Sequence, residues 1–299
     1  PFVYYGSKSG AVGESWEQTL VDLPMLWVGK EDVGFNWVAS DLSQWHFRQP
    51  ERNVQIQRAA GQAVLRLNLV DSPLPLAQPR RFDFGFVVTP SRPLDPHLRR
   101  YRTDQQWQMW CQPWRYFNYP DADQVDQSRV EQAAAGYDST FLYLSHNFIS
   151  PFCPEWPYWE QQWRFLGRPY GEYTGDGDAP PALRNYSCYA EACLGSDSFR
   201  NFHLHQLQAL LQRAPIDPRV RNYYFDFSYG AGCSNPHHGC SQWTDANGRS
   251  HRRLLNAATR EVTLATYRMI KRSDPKAVIS CHIGFPRNLP VQHFSEVMV

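Results

Sequence analysis

One stretch limits the fold of this chain more than any other. Asn222 to Ser228 reads as a buried strand, a helix follows at about Leu254 to Lys271, and Ala277-Val278-Ile279-Ser280-Cys281 begins a second strand. The helix gathers Leu255, Ala258, Val262, Ala265 and Met269 on one face, and Asp274-Pro275 ends it. Strand, helix and strand in that order predict two parallel strands joined by a crossover, because parallel neighbours need a long connection that packs back on the sheet.

The same rhythm runs upstream. Thr140-Phe141-Leu142-Tyr143-Leu144-Ser145 is a further buried strand, and Ser196 to Arg213 is a helix with Phe199, Phe202, Leu207, Leu210 and Leu211 on one side, limited by Pro215. Arg115 to Tyr119 and Tyr186 to Ala190 read as shorter strands, and Asp123 to Ala135 as a helix. A Gly-rich phosphate loop is missing from these units, so the pattern favours an α/β fold of the (β/α)8 TIM-barrel type over a doubly wound sheet. Residues 99–299 are assigned to that barrel, incomplete at its C-terminal end.

Residues 1–98 have a different period. Val54-Gln55-Ile56-Gln57 and Val64 to Val70 alternate, with Gly61 at a turn between them, and Phe82 to Val88 is a third candidate strand closed by Thr89-Pro90. This predicts part of an antiparallel β-sandwich. Ser91 to Gln106, with three prolines and no period, reads as the linker.

A formal charge of +1 across 299 residues gives no electrostatic case for nucleic acid or an anionic membrane. No run approaches the roughly 18 to 20 apolar residues of a membrane-spanning helix. The chain opens on Pro1 without an initiator Met and closes on the strand-like Glu296-Val297-Met298-Val299, so a fragment or a processed form is expected, from which a leader could be lost. A secreted or periplasmic location is the corresponding expectation. The sequence does not indicate an oligomeric state.

Chemistry concentrates where Tyr223-Tyr224-Phe225-Asp226 runs into Cys233-Ser234-Asn235-Pro236-His237-His238-Gly239-Cys240. A strand that ends on a carboxylate and opens into a polar loop is how a barrel places its active site. With 11 Trp and 16 Tyr, the composition favours a carbohydrate substrate, whose apolar ring faces stack on aromatic side chains. Asp226 is the candidate nucleophile or charge stabiliser, and Glu296, read as following the next strand, is the candidate second carboxylate. His282 ends the strand after that of Asp226, and His146 and Asn147 end an earlier one; all three are candidate substrate contacts. So are Asn235 and His238 over the barrel mouth, and Trp156 and Trp159, set with Trp163 in a long irregular insertion, as a sugar platform against the alternative of burial.

Cys233 and Cys240 are close enough in sequence to bridge as a disulfide, since Pro236 and Gly239 let the loop reverse between them. A hydrogen-bonded loop is the alternative. The seven cysteines include no CxxC pair, adjacent His237 and His238 point apart on extended backbone, and no separate Cys or His completes a tetrahedral set. No metal and no cofactor is therefore assigned.

The segments Tyr224-Phe225-Asp226, Cys233-Ser234-Asn235, His238-Gly239-Cys240, Asp245, Gly248 and Arg260-Glu261 resemble the barrel part of the domain of unknown function 6067 family, uncharacterised bacterial proteins similar to glycoside hydrolases. Ile279-Ser280-Cys281-His282 and Phe294-Ser295-Glu296 are similar to its next strand and loop, although the family more often has Asp in place of Glu296. Trp27 to Phe35 and Ser40 to Trp45 resemble its sandwich. The resemblance implies kinship with hexosaminidase barrels and hydrolysis of O-glycosidic bonds in an oligo- or polysaccharide. Some of those enzymes use adjacent Asp-Glu carboxylates with substrate assistance, whereas Phe227 follows Asp226 here. The alternatives are a non-catalytic carbohydrate-binding protein on a barrel scaffold and a metal-dependent hydrolase.

Overall fold

A computed structural model describes residues 2–4, 10–19, 24–30, 33–39, 41–90, 107–111, 125–167, 173–174, 189–213, 219–226, 232–282, 294–295 and 297–298. In chain order the strands are β1 (Phe2–Tyr4), β2 (Gly10–Ala11), β3 (Ser15–Gln18), β4 (Met25–Gly29), β5 (Gly34–Ala39), β6 (Val54–Ala59), β7 (Gln62–Leu67) and β8 (Phe84–Thr89). They are followed by β9 (Trp107–Cys111), β10 (Ser139–Ser145), β11 (Phe148–Ile149), β12 (Tyr173–Thr174), β13 (Tyr189–Glu191), β14 (Val220–Asp226), β15 (Gly232–Cys233), β16 (Gln242–Thr244), β17 (Ser250–Leu254), β18 (Ile279–Cys281) and β19 (Val297–Met298). Among the described residues the α-helices are α1 (Gln127–Ala134), α2 (Trp156–Trp163), α3 (Asp197–Arg213) and α4 (Asn256–Ser273).

The described residues among the first ninety build two antiparallel sheets, ordered β2-β1-β4-β5-β8 and β3-β6-β7. Alternation along the strands sends Leu26, Val28, Trp37 and Ala39 from the first sheet, and Val54 and Ile56 from the second, into one apolar core. Trp37 meets Trp45 edge to face in that core, at 5.8 Å between centroids. The Trp27 indole lies nearer the rim and donates to Thr89 Oγ1 at 2.8 Å.

The second half contains a five-stranded sheet ordered β9-β10-β14-β18-β19, with every pairing parallel. Its spatial order is the chain order. α1 lies between β9 and β10, α3 between β10 and β14, and α4 between β14 and β18, so the predicted crossovers are present. Among the described residues the sheet does not close on itself. The helix predicted from Asp123 begins at Gln127 because the Asp126 carboxylate caps it, accepting from the amides of Ser128 and Arg129. The strand-like piece at Arg115 to Tyr119 lies outside the described residues.

Period two divides the labour of this sheet. Leu142, Leu144, Tyr223, Phe225, Ile279 and Cys281 face a core shared with Val130, Leu207, Leu210 and Ile270 of the helices. Tyr143, Tyr224, Asp226 and Ser280 alternate with them and take the opposite face. At the amino-terminal edge Asn222 laces three strands together: its Nδ2 donates to Ser139 Oγ and its Oδ1 accepts from the Val278 amide at 2.7 Å.

The two halves touch through the segment after β14. Its polar sequence reads as a long loop, yet β15, β17 and β16 form a three-stranded antiparallel sheet there. Its hairpin turns at Gly248, whose φ of +78° suits glycine, while Asp245 Oδ1 accepts from the amides of Asn247 and Arg249 at 2.9 Å. Asp245 Oδ2 pairs with His251 Nε2 at 2.9 Å. Trp243 on this hairpin meets Phe47 of the sandwich edge to face at 6.5 Å, and Asn256 Nδ2 donates to the Ala39 carbonyl at 3.1 Å.

Two histidines lie inside the second half. His146 is fully buried, stacks on Phe225 at 4.4 Å between centroids, and has Nδ1 3.2 Å from His203 Nε2. Burial drives the His203 pKa down to about 4, and burial together with the neighbouring His203 holds His146 well below the usual histidine range. Both are held neutral in the fold while the unfolded chain takes up protons from about pH 6.5 downward. Stability from the pair is thus present above pH 6.5 and lost as pH falls toward 4. Urea unfolding should show a loss of about 1 to 3 kcal/mol between pH 7.5 and 5.5, and His203→Gln should remove a large part of that pH slope. An unchanged slope in the variant would refute the buried neutral pair.

Candidate functional site

Asp226 ends β14, the middle strand of the parallel sheet, and is 5% exposed. Its position follows from register: Ser145 of β10 is its partner on one side, and Phe225 pairs with Cys281 of β18 on the other. The His282 amide donates to the Phe225 carbonyl at 2.9 Å, which carries the β18 backbone one residue past the strand to the level of Asp226.

Both carboxylate oxygens are held. Tyr143, two residues below the end of β10 on the same face, donates its hydroxyl to Asp226 Oδ2 at 2.5 Å. His282 Nδ1 lies 2.8 Å from Oδ1. A carboxylate accepts only, so this proton sits on Nδ1, leaving Nε2 as the second functional atom of the ring. Tyr224 adds its hydroxyl 3.1 Å from the same Nδ1, and its ring tilts against Tyr143 at 5.4 Å. Burial, then the charge of Asp226 and the nearby Cys281, push the Tyr224 phenol up from its ordinary value. It remains a hydroxyl across the working pH range of most proteins.

The His282 side chain is 45% exposed while Asp226 is enclosed. The cluster therefore presents an open imidazole edge above a fixed carboxylate, at the carboxyl ends of parallel strands where α/β proteins keep their sites. The period-two pattern on β10 and β14 held the signal for Tyr143 and Tyr224, since each lies two residues from a strand end and shares the face of Asp226.

The remaining candidates divide differently. Glu296 lies outside the described residues; in the chain it comes after β18 and directly before β19, which begins at Val297 in register with Ser280. His146 is sealed under Phe225 and His203 and makes no surface for a substrate. Asn147 is also buried: it accepts from Ser145 Oγ at 3.0 Å and donates toward Glu191 at 3.4 Å, fixing the turn after β10. Trp156 is buried in a core with Trp163 and Phe199, because the predicted irregular insertion contains α2 and one face of that helix packs inward. Trp159 is 41% exposed, stacked at 9° on Trp163, and lines a recess with Tyr158 and Gln162.

Asn235 and His238 fasten their loop to α2. Asn235 Nδ2 donates to the carbonyls of Gln161 at 2.9 Å and Arg164 at 2.7 Å, and its Oδ1 accepts from the His237 amide at 2.9 Å. Pro236–His238 is a single 3-10 turn that Gly239 closes at φ +76°. His238 Nδ1 lies 2.5 Å from the Gln162 carbonyl and Nε2 3.5 Å from Cys233 Sγ. Cys233 and Cys240 are free buried thiols, not a disulfide. Cys193, two residues beyond β13, is a separate potential ligand that local spacing does not reveal: one ligand atom from each of Cys193, Cys233, His238 and Cys240 lies within 4.8 Å of the others.

No family model matches the chain, and no curated protein matches it. Solved structures similar to it include glycosidases. The GH36 α-galactosidases AgaA, in complex with raffinose, and AgaB of Geobacillus stearothermophilus each show 9% identity, with TM-scores of 0.44 and 0.43, over 99% of this chain and 49% of theirs. α-L-Fucosidase isoenzyme 2 of Paenibacillus thiaminolyticus shows 14% identity and a TM-score of 0.39 over 64% of this chain and 29% of its own. The chain spans about half the length of the galactosidases and under a third of the fucosidase.

Proposed function

We propose that this chain is the catalytic part of a glycoside hydrolase that cleaves O-glycosidic bonds of an oligo- or polysaccharide, with Asp226 at the reaction centre of a (β/α) barrel. The observation that carries the reading is the grip on Asp226: a carboxylate at the carboxyl end of a central parallel strand, fixed through one oxygen by Tyr143 and through the other by His282. The chain-ordered parallel strands with helical crossovers support the barrel.

In this role one Asp226 oxygen attacks the anomeric carbon or faces the positive charge that develops there as the bond to the leaving oxygen breaks. A carboxylate pinned in one rotamer needs no reorganisation at that moment. Glycoside hydrolysis needs a second carboxyl group to protonate the leaving oxygen, and that group belongs to a loop or strand other than β14. His282, half exposed beside Asp226, is placed to hydrogen-bond a sugar hydroxyl through Nε2. Trp159 offers a face for ring stacking.

The Asp226 to His282 bond also favours a second reading, in which Asp226 orients the imidazole and His282 Nε2 takes a proton from water in ester or amide hydrolysis. The two readings rank the residues differently. With the full-length gene product and a panel of aryl glycosides and oligosaccharides, Asp226→Asn should lower kcat at least about 1000-fold. His282→Gln should cost about 10- to 100-fold if it only positions the carboxylate and sugar. Equal losses in both variants on an ester, with no glycoside cleaved, would establish the second reading. Glycoside hydrolysis left unchanged by Asp226→Asn would overturn the first.

Tyr143→Phe removes the hydroxyl and keeps the ring packed on Tyr224, so the fold should persist. Its expected effect is a kcat lower by about 10- to 100-fold with little change in KM, since the lost bond orients Asp226 and touches no substrate. A change confined to KM would show that Tyr143 contributes to substrate binding and not to carboxylate alignment.

A further inference from the structure

The loop that leaves the Asp226 strand ends in a buried cluster of soft ligands. Cys233 and Cys240 lie at its two ends, His238 lies between them, and Cys193 reaches in from the loop after β13. Three thiols and an imidazole have been brought together from segments some 40 residues apart, in a place with little access to water.

Two edges of the cluster match those of a tetrahedral site, and all four ligand atoms lie within 4.8 Å of one another. With metal–sulfur bonds of about 2.3 Å and metal–nitrogen bonds of about 2.0 Å, the edges of a zinc site are about 3.8 Å between sulfurs and about 3.5 Å between sulfur and nitrogen. Cys193 Sγ and Cys240 Sγ are 3.8 Å apart, and Cys233 Sγ and His238 Nε2 are 3.5 Å apart. A disulfide would instead bring two sulfurs to about 2.05 Å.

The surroundings are arranged for thiolates. The amide of Gly195 donates to Cys193 Sγ at 3.2 Å, and the amides of Asn235 and Leu166 donate to Cys233 Sγ at 3.4 and 3.5 Å. Backbone donors aimed at sulfur stabilise its negative charge. Gly195 leaves room for the cluster, since a Cβ there would fall 2.6 Å from Cys240 Sγ. The ring of His238 is oriented from outside: Nδ1 donates to the Gln162 carbonyl, so that Nε2 faces the sulfurs.

We propose that Cys193, Cys233, His238 and Cys240 bind one zinc ion in a closed, tetrahedral, structural site. Four protein ligands fill the coordination sphere and leave no position for water or substrate, so the ion takes no part in hydrolysis. It joins the loop after β13 to the loop after β14 and fixes the segment that leaves the Asp226 strand. The proposal does not depend on the reaction assigned to Asp226.

Elemental analysis of the full-length protein, produced in zinc-supplemented medium and purified without chelator, should find one zinc per chain. Cys193→Ser should lose the metal and lower Tm by on the order of 10 °C, whereas His238→Cys, which offers four thiolates, should retain it. If Cys193→Ser does not fold, cobalt(II) in the wild-type protein provides the test, because three thiolates around tetrahedral cobalt give strong charge-transfer and visible d–d bands. Less than about one zinc in ten chains together with a cobalt spectrum lacking those bands would overturn the proposal. So would a disulfide between any two of Cys193, Cys233 and Cys240 in the native protein.

Discussion

The organising constraint is the in-register parallel pairing of β14 with β10 on one side and β18 on the other. Parallel strands bring like ends together, so the last residues of three separate segments arrive at one edge of the sheet. Asn222 sets the level of that edge from the opposite end by binding Ser139 and Val278 at once. Given that register, Tyr143 reaches Asp226 and His282 comes level with it. A slip of one residue would turn Asp226 toward the helices and replace it with an apolar side chain.

Much of this was legible in the sequence because it is periodic. The α3 and α4 crossovers follow from apolar faces that recur at helical spacing, and β6, β7 and β8 of the sandwich from alternation. Asp226 and His282 could be read as neighbours because two strands that end in parallel place their final residues side by side. The hairpin at Asp245 to Gly248 also carried a signal, an Asn-Gly turn, but the strands beside it, Gln242–Thr244 and Ser250–Leu254, are too polar to be recognised by hydrophobic pattern.

Other features were hidden for identifiable reasons. His146, Asn147 and Asn235 are polar residues in segments that look like loops, and polarity alone predicts exposure. Each is buried because its hydrogen-bonding groups or ring find partners inside: His203 for His146, Ser145 and Glu191 for Asn147, and the end of α2 for Asn235. Cys193 had no local signature at all. Its proximity to Cys233 and Cys240 is a product of tertiary folding, in which β13 and β15 belong to different small sheets.

The anchoring of the segment after β14 bears on how this scaffold can diverge. Asn235 and His238 tie it to α2, Trp243 rests on Phe47, and Asn256 holds the start of α4 to Ala39. Between such fixed points, exposed residues such as Ser241, Gln242 and Ala246 are free to vary without disturbing the carboxylate at the strand end. The excursion between β14 and α4 is thus a place where new surface chemistry can be tried while Asp226 keeps its geometry. The sandwich half, through Phe47 and Ala39, acts as the outer abutment against which that variation is tolerated.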